Sequence, residues 1–123
     1  MTEPSDEDCM DFETVLLGML LRSPKAMLPR IAGDLFAWPG NRAAYEAMKR
    51  LAVRGDRITV ESTRKEAGDQ AHNVPAEPWI TIVNADFYIT ALKRRNARNR
   101  RRAELLDELR RLNEGAVAES ASA

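Results

Sequence analysis

Residues 85–113, ADFYITALKRRNARNRRRAELLDELRRLN, decide the fold of this chain. They predict one helix that begins near Ala85 or Asp86 and is on the order of 40 Å long. Both ends of this helix are amphipathic, and at helical periodicity their apolar residues fall on one stripe, formed by Phe87, Tyr88, Ala91, Leu92, Leu105, Leu106 and Leu109. The middle of the helix is polar all round, because arginines occupy that stripe there. We therefore expect the helix to leave the globular body and to meet a second partner.

The residues before this helix also follow a helical period. A buried helix face is predicted by the spacing of Phe12, Val15, Leu16, Met19 and Leu20. Asn41 and Thr59 are typical N-cap residues and predict the starts of two helices. Gly55 and Gly68 predict where these two helices end. Residues 69–78 are expected to form a loop and residues 79–83 a short helix. Since no alternating strand pattern occurs, the prediction is an all-α fold, a compact bundle of about five short helices plus one long protruding C-terminal helix.

Four segments make up the expected domain organisation. They are an acidic disordered arm over residues 1–11, a helical globular domain over 12–92, an extended basic and amphipathic helix over 93–113 and a disordered tail over 114–123. Net charge is zero, from 19 basic and 19 acidic residues, but the charges are segregated. Residues 1–13 hold six acidic and no basic side chains, whereas residues 93–102 hold seven basic and no acidic ones. Such asymmetry indicates an interaction surface, unless both segments are merely solvated.

Composition and motifs exclude several classes of protein. Hydrophobic residues make up 44% and charged residues 31% of the chain, a balance typical of soluble globular proteins. No apolar run approaches the roughly 20 residues that span a bilayer, and no secretory signal pattern opens the chain, so a cytoplasmic protein without membrane contact is expected. Cys9 and His72 are the only cysteine and histidine, which excludes an intramolecular disulfide and a His/Cys zinc site built by one chain. Phosphate-binding and dinucleotide-binding glycine motifs are absent, so we expect neither catalysis nor a cofactor.

Two candidate contact surfaces lie on the long helix. An apolar surface for self-association or partner contact is predicted at Leu92, Leu105, Leu106, Leu109 and Leu112. A basic patch is predicted at Lys93, Arg94, Arg95, Arg98, Arg100, Arg101 and Arg102. This patch can bind nucleic-acid phosphates or acidic protein surfaces, or it can simply solvate the helix. Stacking on bases is not expected, because no aromatic residue is interleaved with the arginines.

Several segments, in this order, resemble the N-terminal domain of DnaB-family replicative DNA helicases. The resemblance is carried by ETVLLGMLL at residues 13–21, DLF at 34–36, NRAAYEAM at 41–48 and FYITALKRR at 87–95. It spans about residues 12–110. One departure is the segment 69–83, which has Trp79 where the family usually has a Gly-Gly-x-x-Tyr-Leu pattern. A second departure is that the chain holds no ATPase segment, so helicase activity is not expected of it.

The resemblance implies an all-helical module in which residues 93–113 form the first half of a helical hairpin. In that family the domain dimerises, forms a collar on the hexamer and receives the primase. We accordingly expect a non-catalytic protein-interaction module in DNA replication, whose partners are a replicative helicase, a primase, a helicase loader or a second copy of the chain. The alternative is a small accessory protein, of a phage or mobile element, that binds nucleic acid through its basic helix, although DNA contact is otherwise expected to be secondary.

Overall fold

The computed structural model describes residues 5–76 and 84–122, and it describes residues 116–122 by their backbone only. These ranges contain helices and no strand, which confirms the all-α prediction. The α-helices are α1 (Asp6–Arg22), α2 (Pro24–Met27), α3 (Pro39–Arg54), α4 (Val60–Ala67) and α5 (Ala85–Ser122). Short 3-10 turns occupy Leu28–Arg30, Gly33–Leu35 and Gly68–Asn73. The chain divides into two compact units, Met1–Lys93 and Arg94–Ala123, with the boundary inside α5.

Helix α1 is the centre of the first unit. The expected residues Leu16, Met19 and Leu20 are fully buried, but Leu17 is fully buried as well, and every residue from 16 to 21 is buried, so neighbours surround this part of α1. The same hydrophobic core contains buried side chains of α2, α3 and α5 and of the segment before α3, among them Met27, Leu35, Phe36, Met48, Ile89 and Leu92. A helix that is apolar over most of its circumference is typical of a core position. Burial of these side chains is the main stabilising contribution to this unit.

A buried carboxylate joins α1 to the start of α3. Glu13 is only 2% exposed, and its two oxygens accept hydrogen bonds from the backbone N–H groups of Ala37 and Trp38, each at 3.2 Å. Asn41 donates a third bond from its side-chain nitrogen to the Glu13 carboxylate, also at 3.2 Å. Because the N-terminus of a helix carries partial positive charge, a carboxylate at this position is favourable. Trp38, the N-cap residue of α3, makes no capping bond with its side chain, and Glu13 instead binds the backbone N–H groups of Trp38 and of the residue before it.

A second polar contact holds the chain between the two 3-10 turns that precede α3. The hydroxyl of Tyr45 on α3 donates a buried hydrogen bond of 2.7 Å to the carbonyl oxygen of Ile31. Burial raises the pKa of the Tyr45 phenol, and the nearby negative charges of Glu46 and Asp34 raise it further. The phenol therefore keeps its proton and remains a hydrogen-bond donor over the physiological pH range.

The prediction of a disordered arm over residues 1–11 is wrong for residues 5–11. Ser5 caps α1 in a capping box with Asp8, and the acidic residues of the first turn favour the positive end of the helix dipole. Cys9 is 1% exposed and belongs to the hydrophobic core. The acidic composition reflects helix capping on the solvent side of α1 rather than disorder. Residues 1–4 lie outside the described ranges.

Other expectations for the turns are partly corrected. Gly55 and Gly68 end their helices with positive φ, and Thr59 caps α4, as predicted. Asn41, however, lies inside α3, which begins earlier with Pro39 as its first residue, and Asn41 binds Glu13 instead.

The expected loop over residues 69–78 is helical over 69–73 and irregular over 74–76, and the expected tail over 114–123 is helical as far as residue 122. Residues 68–73 form a 3-10 turn whose Asn73 side chain packs so closely on Gly40 that a Cβ there would lie 2.1 Å from Asn73 Nδ2. This close packing explains why the segment is ordered. At the other end, α5 continues to Ser122 because nothing between Ala85 and that residue stops it. The helix predicted over residues 79–83 lies outside the described ranges.

An ionic cluster joins α3 to α4. The Arg54 guanidinium contacts both Glu66 carboxylate oxygens, at 3.1 and 2.8 Å, and Arg50 donates to the same carboxylate at 2.9 Å. Arg54 also holds Asp56, directly after Gly55, at 3.0 Å. These hydrogen bonds from Arg54 and Arg50 lower the pKa of the Glu66 carboxyl from 4.5 to about 2, and the bonds to Glu66 and Asp56 raise the pKa of Arg54.

Removal of the buried carboxylate should destabilise the fold. We expect Glu13→Ala to lower the free energy of unfolding by about 3 kcal/mol, because two backbone N–H groups and the Asn41 amide lose their acceptor in a buried site. Glu13→Gln should cost less, since one acceptor oxygen remains. The measurement is urea unfolding followed by circular dichroism. Asp11→Ala, an exposed carboxylate on the same helix, is the matched control, and an equal loss in both alanine variants would contradict the role given to Glu13.

Stability should depend on pH through Glu66. A carboxyl group whose pKa is lowered on folding stabilises the protein above its unfolded pKa, and this contribution is lost as pH falls through the folded pKa. We expect the difference in Tm between the native chain and Glu66→Gln to be largest at neutral pH, to shrink below about pH 4.5 and to vanish near pH 2. The control Glu61→Gln removes a carboxylate of α4 that forms no ion pair in the described residues. A Glu66 pKa near 4.5 in an NMR titration would refute the prediction.

Candidate protein-interaction surface

Four exposed leucines lie together on α5 in the second unit. We call Leu105, Leu106, Leu109 and Leu112 the leucine row; their exposed fractions are 43%, 59%, 56% and 65%. Leu105, Leu109 and Leu112 follow one another at spacings of four and three residues, so they share one side of the helix, and Leu106 lies at its edge. This arrangement agrees with the exposed surface predicted from the sequence for these four residues. Large apolar side chains exposed side by side typically mark a contact surface.

Leu92 does not belong to this surface, contrary to the prediction. It is fully buried in the core of the first unit, where it continues the buried face of Ala85 and Ile89. At about 100° per residue, Leu92 also points about 100° away from Leu109 around the helix axis. The single apolar stripe predicted for α5 is therefore two separate apolar sides. The core covers one of them, which contains Leu92, and the other is exposed.

The predicted basic patch is smaller in the structure. Exposed members are Lys93, Arg94, Arg100, Arg101 and Arg102, which we call the basic segment. Arg95 was predicted to belong to the patch, but it is only 5% exposed. Its Nε and Nη2 atoms donate hydrogen bonds to the Asn96 side-chain oxygen, at 3.2 and 3.0 Å. Arg98 is half-buried.

Ion pairs divide the charge along α5. Asp107 is held by Arg110 at 2.6 Å and by Arg111 one residue further along, and Arg101 lies 3.7 Å from Glu104. Pairs at these spacings stabilise a helix modestly. Arg110 and Arg111, which lie between two leucines of the row, are thus compensated locally, whereas of the basic segment only Arg101 forms an ion pair with the described residues. The helix therefore presents a cationic stretch and then an apolar one.

An acidic edge lies beside the leucine row, in addition to the two surfaces predicted from the sequence. Glu104 and Glu108 are exposed and lie four residues apart, so they stand on one flank of Leu105 and Leu109. The i, i+4 spacing of these two carboxylates was the available signal. The seven basic residues at 93–102 dominate the net charge of this part of the helix, so the two carboxylates do not show in the charge count.

The only cysteine and the only histidine of the chain occupy unlike environments. Cys9 is buried in the core, and His72 is exposed in the 3-10 turn, with its Nε2 atom 2.9 Å from Asn73 Nδ2. The expectation that the chain is not an enzyme stays a prediction.

No helix within residues 5–76 and 84–122 combines the length and the apolar character that crossing a bilayer requires. Comparison with known proteins adds no family: no family model, no curated protein and no solved structure matches this chain. The resemblance to the helicase N-terminal domain therefore remains an expectation from short sequence patterns.

Proposed function

We propose that this chain is a non-catalytic protein-interaction module whose contact surface is the leucine row. The observation that carries the proposal is the side-by-side exposure of four leucines on a helix that also provides Ile89 and Leu92 to the core. One helix thus belongs both to the fold and to a surface without a described neighbour. Both regions belong to the same continuous helix, α5 (Ala85–Ser122).

Energetic estimates favour a weak, reversible contact. Burying an exposed leucine side chain contributes about 1.5–3 kcal/mol, whereas association costs roughly 4–15 kcal/mol in lost freedom of motion. Four leucines that are already partly covered therefore support a dissociation constant in the micromolar range rather than a permanent complex. A module of this kind assembles and dissociates as its concentration or its partners change.

The biological setting we propose is DNA replication. The support is the resemblance of residues 12–110 to the N-terminal domain of DnaB-family helicases, together with the all-α fold. In this setting the partner is a replicative helicase, a primase, a helicase loader or a second copy of the chain. The proposal assigns the chain no ATP hydrolysis, since the resemblance does not extend to an ATPase segment.

A second candidate function, nucleic-acid binding, is favoured by one specific observation. The five side chains of the basic segment are exposed within ten residues of each other on α5. Exposed lysines and arginines bind phosphates and release counterions, which gives affinity without sequence preference. We rank this function second because the same helix also exposes the leucine row, which phosphate binding does not use.

Self-association should be concentration-dependent and should require the leucine row. In analytical ultracentrifugation at tens of micromolar, we expect the mass of the native chain to rise with concentration. Leu109→Gln should remain monomeric, because it removes the central apolar side chain and keeps a good helix former. Val53→Gln is the matched control, since Val53 is 85% exposed on α3 and lies outside the row. A native chain that stays monomeric throughout this range would refute self-association.

Nucleic-acid binding makes a different prediction. If the basic segment binds phosphates, the logarithm of the affinity for a duplex should fall linearly with the logarithm of salt concentration, with a slope of about −4.5 for five contacts. The triple variant Lys93→Gln, Arg94→Gln, Arg100→Gln should reduce this slope, whereas Leu109→Gln should leave it unchanged. Gel shifts at several salt concentrations measure both. Binding with no salt dependence, or equal binding by the triple variant, would exclude this function.

A further inference from the structure

The first unit contains an open groove of about 1090 Å³ that the sequence did not indicate. It runs between residues 21–29, at the end of α1 and through α2, and residues 52–60, at the end of α3 and the start of α4. Half-buried apolar side chains line it, among them Pro24, Leu28, Ile58 and Val60. Open apolar grooves between helices are a common site for the apolar face of another helix.

The shape of one wall is set by the connection from α3 to α4. Gly55 takes the left-handed conformation with φ 77°, and Asp56 is then held by Arg54 at 3.0 Å. Thr59 closes the connection by capping α4 in a capping box with Ser62. Both ends of this wall are thereby anchored by hydrogen bonds, which makes the groove a preformed feature of the fold.

Charged side chains at the groove are predominantly basic. Arg22, Lys25 and Arg57 line it, are exposed and form no ion pair with the described residues. The one carboxylate in the lining, Asp56, is already paired with Arg54. An occupant that fits must therefore offer apolar side chains to the floor and carboxylates to the rim, because an unpaired cation attracts a carboxylate and repels another cation.

The leucine row has these properties. Its apolar side chains are flanked by two exposed carboxylates: Glu108, which forms no ion pair with the described residues, and Glu104, whose contact with Arg101 is long at 3.7 Å. Residues 103–115 contain four acidic and two basic residues, and both of the basic residues are bound to Asp107. Both surfaces are present in every copy of the chain. Complementary charge and a shared apolar character thus single out one occupant.

We propose that the groove of one copy receives the leucine row of a second copy, with Glu104 and Glu108 placed against Arg22, Lys25 and Arg57. This inference rests on the proposed function, because it takes the leucine row to be a contact surface, and it adds the surface that the row binds. The contact joins two different surfaces. Two copies can therefore close into a pair by exchanging helices, or successive copies can form an open chain.

Complementation between two variants tests this proposal. The groove variant Lys25→Glu, Arg57→Glu keeps its leucine row, and its exposed substitutions leave the core untouched. The row variant Leu109→Gln keeps its groove. In sedimentation at low salt, each variant alone should associate at least about tenfold more weakly than the native chain. An equimolar mixture should recover association, because the intact row of one variant meets the intact groove of the other.

Direct pairing of two leucine rows gives opposite results. The groove variant would then associate like the native chain, and the row variant would gain nothing from the mixture; either result overturns the groove proposal while leaving the proposed function intact. Loss of association in the row variant is common to both cases and tests the proposed function separately. Circular dichroism must show equal helix content in both variants.

A charge exchange provides a second, independent measurement. Glu104→Lys, Glu108→Lys places cations on the row, so this variant should lose affinity for the native groove and gain it for the groove variant. The gain should weaken as salt concentration rises, since exposed charges are screened. Equal affinity of the lysine variant for the native groove and for the groove variant would also overturn the proposal.

Discussion

The fold depends on one buried carboxylate that is satisfied only when two distant segments meet. Glu13 on α1 accepts the backbone N–H groups of Ala37 and Trp38 and the side chain of Asn41, so α1 and the start of α3 must be in register. A buried charge without these donors would cost several kcal/mol, and apolar packing alone does not specify such a register. The apolar core supplies most of the stability of this unit, and Glu13 selects the arrangement of its helices.

Helix α5 connects this core to the surface that we propose to be functional. Its first turns bury Ala85, Ile89 and Leu92, while the leucine row further along is exposed. The two apolar sides lie at different angles around the same helix, so the core does not need the leucines of the row. Substitutions in the row can consequently alter association without altering stability, and this separation makes the proposed function accessible to experiment.

The distribution of charge over the surface matters more for the proposed contacts than the net charge of the chain. The chain is neutral overall, yet the basic segment, the acidic edge of the leucine row and the basic rim of the groove are three separate regions. Opposite charges favour the pairing of the row with the groove, and like charges disfavour the pairing of the basic segment with the same groove. Under our proposals, apolar contact supplies the affinity and charge determines which surfaces meet.

The sequence by itself determined the all-α fold with its long C-terminal helix, the ends of α3 and α4 at Gly55 and Gly68, and the spacing that places the leucine row on one side of α5. These features depend on local periodicity and on backbone conformations that few residues can adopt. The tertiary structure decided which residues of similar appearance are buried: Cys9 within an acidic stretch, Arg95 among exposed arginines and Leu92 among contact leucines. It also created the groove, whose walls come from segments about 30 residues apart. Burial of a side chain depends on residues that are distant in sequence, and a local sequence pattern does not identify those residues.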